Sequence, residues 1–314
     1  MSGPAGLDAP PGRAIPGTGG PARGTLRFAA LGDSLTEGIG DPVPGGWRGW
    51  AALLAEGLGS GERDVEFRNF AVAGSLSGDV RDHQAAAAAA FRPDIASVVV
   101  GVNDTLRRSF DIRLLAGRLD EICAQLAAGG AVILTACLPD PGTALGLPAP
   151  LRHPLARRQR AVNAVVHALS ARYDAVHLHA ADRTWVQDRS LWSVDRLHPA
   201  ERGHRKLAAG FHRLLADRDL APGAPPGAEP QQPPPTRAAA ARWLVTQGTG
   251  WLARRSTDLL PQLLALAASE IRHRAGGTSG QLDARAEQTL LEALADITHA
   301  PSLRGAVPRA RMEG

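Results

Sequence analysis

The stretch LGDSLTEG, residues 31–38, carries Ser34 directly behind an apolar run at residues 26–31. A serine in this setting is either a turn residue that caps the next element or a nucleophile held at a strand end, since Gly, Asp and Ser are also ordinary loop chemistry. A bare hydroxyl is a weak nucleophile, so the second role requires a base, an acid to orient that base, and donors for a developing oxyanion. Three other stretches carry residues of those types: NFAVAGS at 69–75, GVND at 101–104 and DRLHP at 195–199. Alone, each is common turn or helix-start chemistry. Their ordered coincidence is not.

The set resembles the SGNH, or GDSL-type, esterase and lipase family, whose four blocks contribute a serine, a glycine, an asparagine and a histidine in this order; the likeness covers about residues 26–217. The resemblance implies that Ser34 is the nucleophile, His198 the general base and acid, and Asp195 the residue that orients the imidazole. It also implies an oxyanion site built from the backbone N–H groups of Ser34 and Gly74 and the side-chain amide of Asn103. The residue types suit those roles on chemical grounds. An imidazole activates a serine hydroxyl, and a carboxylate three residues earlier can fix its tautomer. A glycine lets backbone approach a substrate oxygen closely, and a neutral amide adds a donor. Pro199 fits the first position of a helix. Asp33 and Asp104 are expected to hydrogen-bond their own loops as Asx turns.

These residues need a scaffold that brings distant segments together. Apolar runs at residues 26–31, 65–72, 95–100, 131–136 and 175–178 alternate with helical patterns at about 47–58, 78–90, 112–127, 155–173 and 200–216. Runs of this kind are expected of strands buried on both faces. The alternation predicts a five-stranded, mostly parallel sheet in a three-layer α/β/α domain, with its crevice beyond the carboxyl ends of the strands, and the resemblance implies the flavodoxin-like form of SGNH hydrolases. Ser34 and the 69–75 and 101–104 blocks fall at those ends, and residues 195–199 open the last helix.

Composition narrows the function further. With 314 residues and 44% hydrophobic content the chain can bury an enzyme-sized core. Its net charge of +4 is carried almost wholly by arginine, Lys206 being the single lysine, and no basic run interleaved with aromatics appears, so nucleic acid is not an expected partner. Cys123 and Cys137 are expected to be buried free thiols. His204 is expected to pack or cap, and His177 and His179 have no cysteine or carboxylate at ligand spacing along the chain. No cofactor and no metal are expected at the site. A two-metal phosphoesterase would need an Asp-x-His after the first strand, a histidine after Asn103 and a Gly-His-x-His, none of which occurs.

The expected function is therefore metal-independent hydrolysis of small-molecule, lipid or carbohydrate esters through an acyl-enzyme. Alternatives are acyl transfer or thioester hydrolysis at the same site, or a non-catalytic binding protein that kept the fold. The stretch from Pro139 to His153 suggests an apolar rim.

Residues 1–24 are rich in Gly, Pro and Ala without a basic start and apolar core, so they are expected to be a disordered leader and not a signal peptide. No apolar stretch reaches about eighteen residues, which argues against a spanning helix and for a cytoplasmic location. The hydrolase domain is assigned to residues 25–220, a proline-rich linker to 221–236 and a helical extension to 237–314. In the extension, helical patterns at 238–274 and 281–297 are expected, the first interrupted at Pro261, Gly248 and Gly250. Trp243, Trp251 and the leucines from 259 to 266 form an apolar surface that needs cover. Packing of the tail helices on each other or on the hydrolase domain is the first expectation. Homodimerisation or contact with a membrane surface through them are the alternatives. Every candidate catalytic residue precedes the linker, so a chain ending near Pro222 is expected to stay active.

Overall fold

Leu26, Phe28, Ala29, Ala30 and Leu31 are all buried, which follows from the place their strand takes between two parallel neighbours. A computed structural model describes residues 24–61, 63–231 and 249–299; side chains are described except at 183 and 249–258. Its strands are β1 (Thr25–Gly32), β2 (Pro42–Val43), β3 (Gly46–Trp47), β4 (Asp64–Asn69), β5 (Ile95–Val99), β6 (Val132–Cys137) and β7 (Val176–His179). Five of them form one parallel sheet in the order β4-β1-β5-β6-β7, while β2 and β3 pair as a separate small hairpin.

The helices are α1 (Ser34–Glu37), α2 (Gly49–Leu58), α3 (Ser77–Asp79), α4 (Ala85–Phe91), α5 (Val102–Thr105), α6 (Ile112–Ala128), α7 (Pro141–Ala144), α8 (Ala149–Arg172), α9 (Arg183–Gln187), α10 (Glu201–Ala216), α11 (Thr249–Ala275) and α12 (Ser279–His299). A π-helical turn, Val80–Gln84, joins α3 to α4. One face of the sheet packs on α2 and α10 through Trp50, Leu54, Phe211 and Leu215. The other packs on α4, α6 and α8 through Ala88, Leu119, Ile122 and Val165. This is the expected three-layer α/β/α arrangement.

Departures from the expected boundaries have local causes. The second strand stops at Asn69 instead of reaching Val72, because the Asn69 side chain turns the chain: Nδ2 donates to the Thr36 carbonyl at 2.8 Å and Oδ1 accepts from Ala71 N–H at 3.1 Å. Helix α8 begins at Ala149, with Pro154 inside it, where the sequence pattern placed the start at 155. Pro261 likewise lies inside α11 without ending it. A proline costs one i→i−4 hydrogen bond, which a long packed helix can tolerate.

The described part of the proline-rich stretch, 221–231, is seated on the domain. Ala221 is buried, the Gly223 carbonyl accepts from His212 Nε2 at 3.0 Å, the Gly227 carbonyl from Arg205 Nη1 at 3.0 Å, and Gln231 N–H donates to Glu201 Oε1 at 2.7 Å. Proline removes donors from such a segment, so its carbonyls are satisfied by side chains of α10.

Beyond it, α12 packs on α6 and α8, and α11 on α8. Ala293 and Ile297 are buried in the same core as α6 and α8. Arg113 pairs with Glu292 and Asp296 at 3.3 and 3.0 Å, and Arg157 with Glu270 and Asp283 at 3.4 and 2.6 Å. Packing on the hydrolase domain is thus what these helices do, although Leu260, Leu264, Ile271 and Leu291 remain exposed. The leader to residue 23, Trp243 and residues 232–236 lie outside the described residues, as does the Trp251 side chain. No helix among the described residues is long and apolar enough to cross a membrane.

Candidate active site

Ser34 opens α1 immediately after β1. Asp33 caps that helix, its Oδ1 accepting from Leu35 N–H at 3.1 Å. As the first helical residue, Ser34 carries an N–H that the helix itself cannot pair. The bond pattern at Asp33 is the Asx turn expected from sequence. Burial pushes the Asp33 carboxyl up to about 6, against the opposing pull of the Leu35 N–H and of His198.

His198 arrives from the loop ahead of α10. Its Nε2 lies 2.8 Å from Ser34 Oγ, and its Nδ1 lies 2.6 Å from Asp195 Oδ2. The other Asp195 oxygen holds the loop in shape, accepting from Ser193 Oγ at 2.6 Å, Leu197 N–H at 2.9 Å and His198 N–H at 3.0 Å. Burial would raise the Asp195 pKa, but the hydrogen bonds from His198 and Ser193 and the charge of His198 outweigh it and hold the carboxyl at about 2. Asp195 is therefore ionised across the neutral range. Gly40 lets this loop come close: a Cβ there would lie 1.9 Å from the Pro199 carbonyl oxygen, so no other residue fits.

The remaining two blocks meet the first one. Gly74 sits at the third position of a turn closed by Ser75 N–H to the Val72 carbonyl at 3.1 Å, with φ of 87°, a conformation glycine adopts without strain. Ala73 N–H next to it donates to Glu37 Oε2 at 2.5 Å, which pins this turn to α1. Asn103, in α5, donates from Nδ2 to the Ser75 carbonyl at 3.1 Å and to Asp33 Oδ2 at 3.3 Å. One amide thus joins the blocks that contain Ser34, Gly74 and Asn103. Asp104 bonds well beyond its own loop. Its carboxylate accepts from Ser77 N–H at 3.0 Å and Ser77 Oγ at 2.6 Å, tying α5 to α3.

Gln84 is a participant the sequence pattern did not mark. Buried in the π-helical turn, it donates from Nε2 to the Gly32 carbonyl and accepts through Oε1 from Gly32 N–H, both at 2.9 Å, and Nε2 also reaches Ser75 Oγ at 3.3 Å. It fixes the peptide two residues before Ser34. A glutamine in an alanine-rich helix gives no sequence signal of this, although a π-turn often marks a functional region.

His204 is fully buried. Its Nδ1 accepts from Trp50 N–H at 3.1 Å and its Nε2 donates to the Ile39 carbonyl at 3.0 Å, while burial lowers its pKa to about 4. It is a neutral packing residue, as expected. A crevice with about 670 Å³ of empty space opens over Ser34 and His198; its walls include Leu35, Val102, Leu138, Pro139, Pro141, Ala144, Trp185 and Trp192. The 139–153 segment does supply an apolar rim, and α9 with its following loop adds two tryptophans.

The five-stranded parallel sheet, covered by helices on both faces, carries Ser34, His198 and Asp195 in series at its carboxyl edge, where doubly wound α/β proteins bind ligands. The chain belongs to the GDSL-like lipase/acylhydrolase family, whose model matches residues 30–206. It is accordingly a hydrolase acting on ester bonds. Among solved structures, a variant of Axe2, an acetyl-xylooligosaccharide esterase from Geobacillus, aligns with a TM-score of 0.51 at 18% identity, covering 62% of this chain and 96% of that one. A catalytic mutant of Axe2, an acetylxylan esterase from Geobacillus stearothermophilus, gives 0.51 at 18% identity with 60% and 94% covered. The esterase EstA from Pseudoalteromonas sp. gives 0.49 at 17% identity with 61% and 97% covered. No curated protein matches the chain significantly.

Proposed function

We propose that the protein is a serine esterase that cleaves carboxylic esters through an acyl-enzyme on Ser34, with no metal ion in the chemical step. The observation that carries this reading is the continuous relay from Asp195 Oδ2 through His198 to Ser34 Oγ, with spans of 2.6 and 2.8 Å. Ionised Asp195 accepts the Nδ1 proton, which leaves the Nε2 lone pair facing the serine hydroxyl. His198 takes the Ser34 proton as Oγ attacks the ester carbonyl, then gives that proton to the departing alcohol. In the second half His198 takes a proton from water, the hydroxide attacks the acyl carbon, and the proton returns to Ser34 as the carboxylic acid leaves.

The oxyanion donors assigned here are the N–H groups of Ser34 and Gly74 and the Asn103 amide. Asn103 donates to the Ser75 carbonyl at 3.1 Å and to Asp33 at 3.3 Å, and the longer second bond is the one whose proton turns to a charged substrate oxygen. The apolar walls of the crevice suit the acyl group, and its open side leaves the alcohol unrestricted, so carbohydrate acetyl esters and lipid esters both belong in the test. Ser34→Ala, checked for unchanged folding, is expected to abolish turnover of a panel of p-nitrophenyl esters, acetylated sugars and acyl thioesters. A fluorophosphonate probe is expected to label the wild type at Ser34 alone. Turnover or labelling that survives Ser34→Ala would remove the assignment.

A further inference from the structure

Away from the crevice, the register of the last two strands collects four side chains that the chain order keeps apart. Thr135 pairs with His177 and Cys137 with His179 across β6 and β7. Alternation along each strand puts these four on one face, the face covered by α8, which contributes His167. The rings of His167, His177 and His179 lie edge to face or tilted, with centroids 4.7 to 5.2 Å apart. One ligand atom from each of Cys137, His167, His177 and His179 falls within 4.8 Å of the others.

We propose that these four residues bind one divalent transition-metal ion of borderline softness, zinc foremost, and that the ion ties the edge strand β7 to β6 and α8. The hydrogen bonding of His177 supports the site. His177 has its Nδ1 engaged by Thr135 Oγ1 at 2.9 Å and Ser170 Oγ at 3.1 Å, while its buried Nε2 has no hydrogen-bond partner among the described residues. A buried ring nitrogen without a partner is uncommon. A metal-binding histidine has this arrangement, with one nitrogen fixed by a hydrogen bond and the other free to ligate.

The donor set of three imidazoles and one thiol suits zinc, cobalt or nickel, and not the oxygen-seeking calcium or magnesium. Tetrahedral zinc with ordinary bond lengths holds its ligand atoms about 3.3–3.6 Å apart. Closure from the observed spacing requires side-chain movement of about 1 Å. Binding converts the Cys137 thiol to a thiolate and releases its proton to solvent.

None of the four lines the crevice, but the next residues of both strands do: Leu138 and Ala180 face Ser34's pocket. Ala180 N–H already donates to the Cys137 carbonyl at 3.1 Å. The ion's role is therefore to hold one wall of the crevice, and it is independent of the chemistry assigned to Ser34.

The test uses the full-length chain, stripped with a chelator and titrated with Co²⁺. Expected are one Co²⁺ per chain, intense visible d–d bands of a tetrahedral site, a thiolate-to-cobalt charge-transfer band, and displacement of all of these by Zn²⁺. The other thiol, Cys123 of α6, lies buried in the hydrophobic core. Cys137→Ser should remove the charge-transfer band. His177→Ala and Thr135→Val should weaken Co²⁺ binding by about 100-fold and about 10-fold, respectively. His83→Ala, on the surface, should change nothing, and circular dichroism checks the fold of each variant. Absence of a thiolate band in the wild type overturns the proposal regardless of how the variants behave. So does a band that persists in Cys137→Ser, or binding lost equally in His83→Ala.

Discussion

Replacing Asp195 by Asn tests the relay most sharply, because it alters one atom and leaves the loop intact. The amide oxygen can still accept from Ser193 Oγ and from the N–H groups of Leu197 and His198, the three bonds that shape the turn. The atom facing His198 Nδ1 at 2.6 Å becomes an NH₂ donor. Two donors cannot share that contact, so the imidazole takes the tautomer with its proton on Nε2, and Nε2 then faces Ser34 Oγ as a donor instead of a base. Loss of the correct tautomer in an equivalent triad costs about 10⁴ in kcat, or about 5.5 kcal/mol of transition-state stabilisation. Stability changes too. With a folded-state pKa of about 2 against an ordinary 3.8, Asp195 contributes about 2–3 kcal/mol above pH 4, lost as pH falls toward 2. The assay is kcat for a p-nitrophenyl ester from pH 6 to 9, together with acid unfolding of both proteins. A loss below tenfold in a folded variant would refute the tautomer argument and assign the orientation of His198 to another group.

Asn103→Ala is expected to cost about 10²–10³ in kcat with little change in KM, less than Asp195→Asn, and the reverse order in steady-state kinetics would show the roles misassigned. Asp33 has a folded pKa raised to about 6, so its favourable contribution is full below pH 4 and is lost as pH rises through 6. Denaturant unfolding should show Asp33→Asn gaining on the wild type over that window, and a pH-independent difference would mean that Asp33 is not a buried, proton-linked group. A chain ending at residue 248 keeps every candidate catalytic residue but uncovers α6 and α8. Loss of buried Ile297 and Ala293 with half-buried Leu290 and Leu294 amounts to roughly 3–5 kcal/mol and lowers Tm by about 10 °C. Unchanged Tm would show that the C-terminal helices add nothing to the core.

The parts of this molecule that sequence reveals are those set by local pattern. Residues 95–99 form a strand buried at every position, and apart from the small Ser97 its residues are apolar, as burial on both faces favours. Asp195 and His198 are legible for the same reason, being three residues apart in one loop. What escaped notice depends on contacts between distant segments. Asp104 looks like a turn residue until α3 brings Ser77 to its carboxylate. The histidines at 177 and 179 have no sulfur near them in sequence, and the register of β6 supplies one. Gln84 in its alanine-rich helix is indistinguishable from a solvated polar residue until Gly32 lies beside it. Pro154 and Pro261 lie inside helices for a different reason, since a proline's local cost is outweighed by the packing of a long helix such as α8.

The spacing of the three relay residues also bears on how the molecule acquires its activity. Asp195 and His198 meet across three positions, whereas Ser34 and His198 are 164 apart. The acid–base pair can form as soon as its own turn does, at the small entropic cost of a short loop. Ser34 meets it only where β1, paired with β4 and β5, and α10, packed on α2, are both in place, which requires closing long loops. A chain in which only that turn has formed lacks the third member of the relay. Hydrolysis of a chromogenic ester during refolding reports closure of the whole sheet and not local order around the histidine.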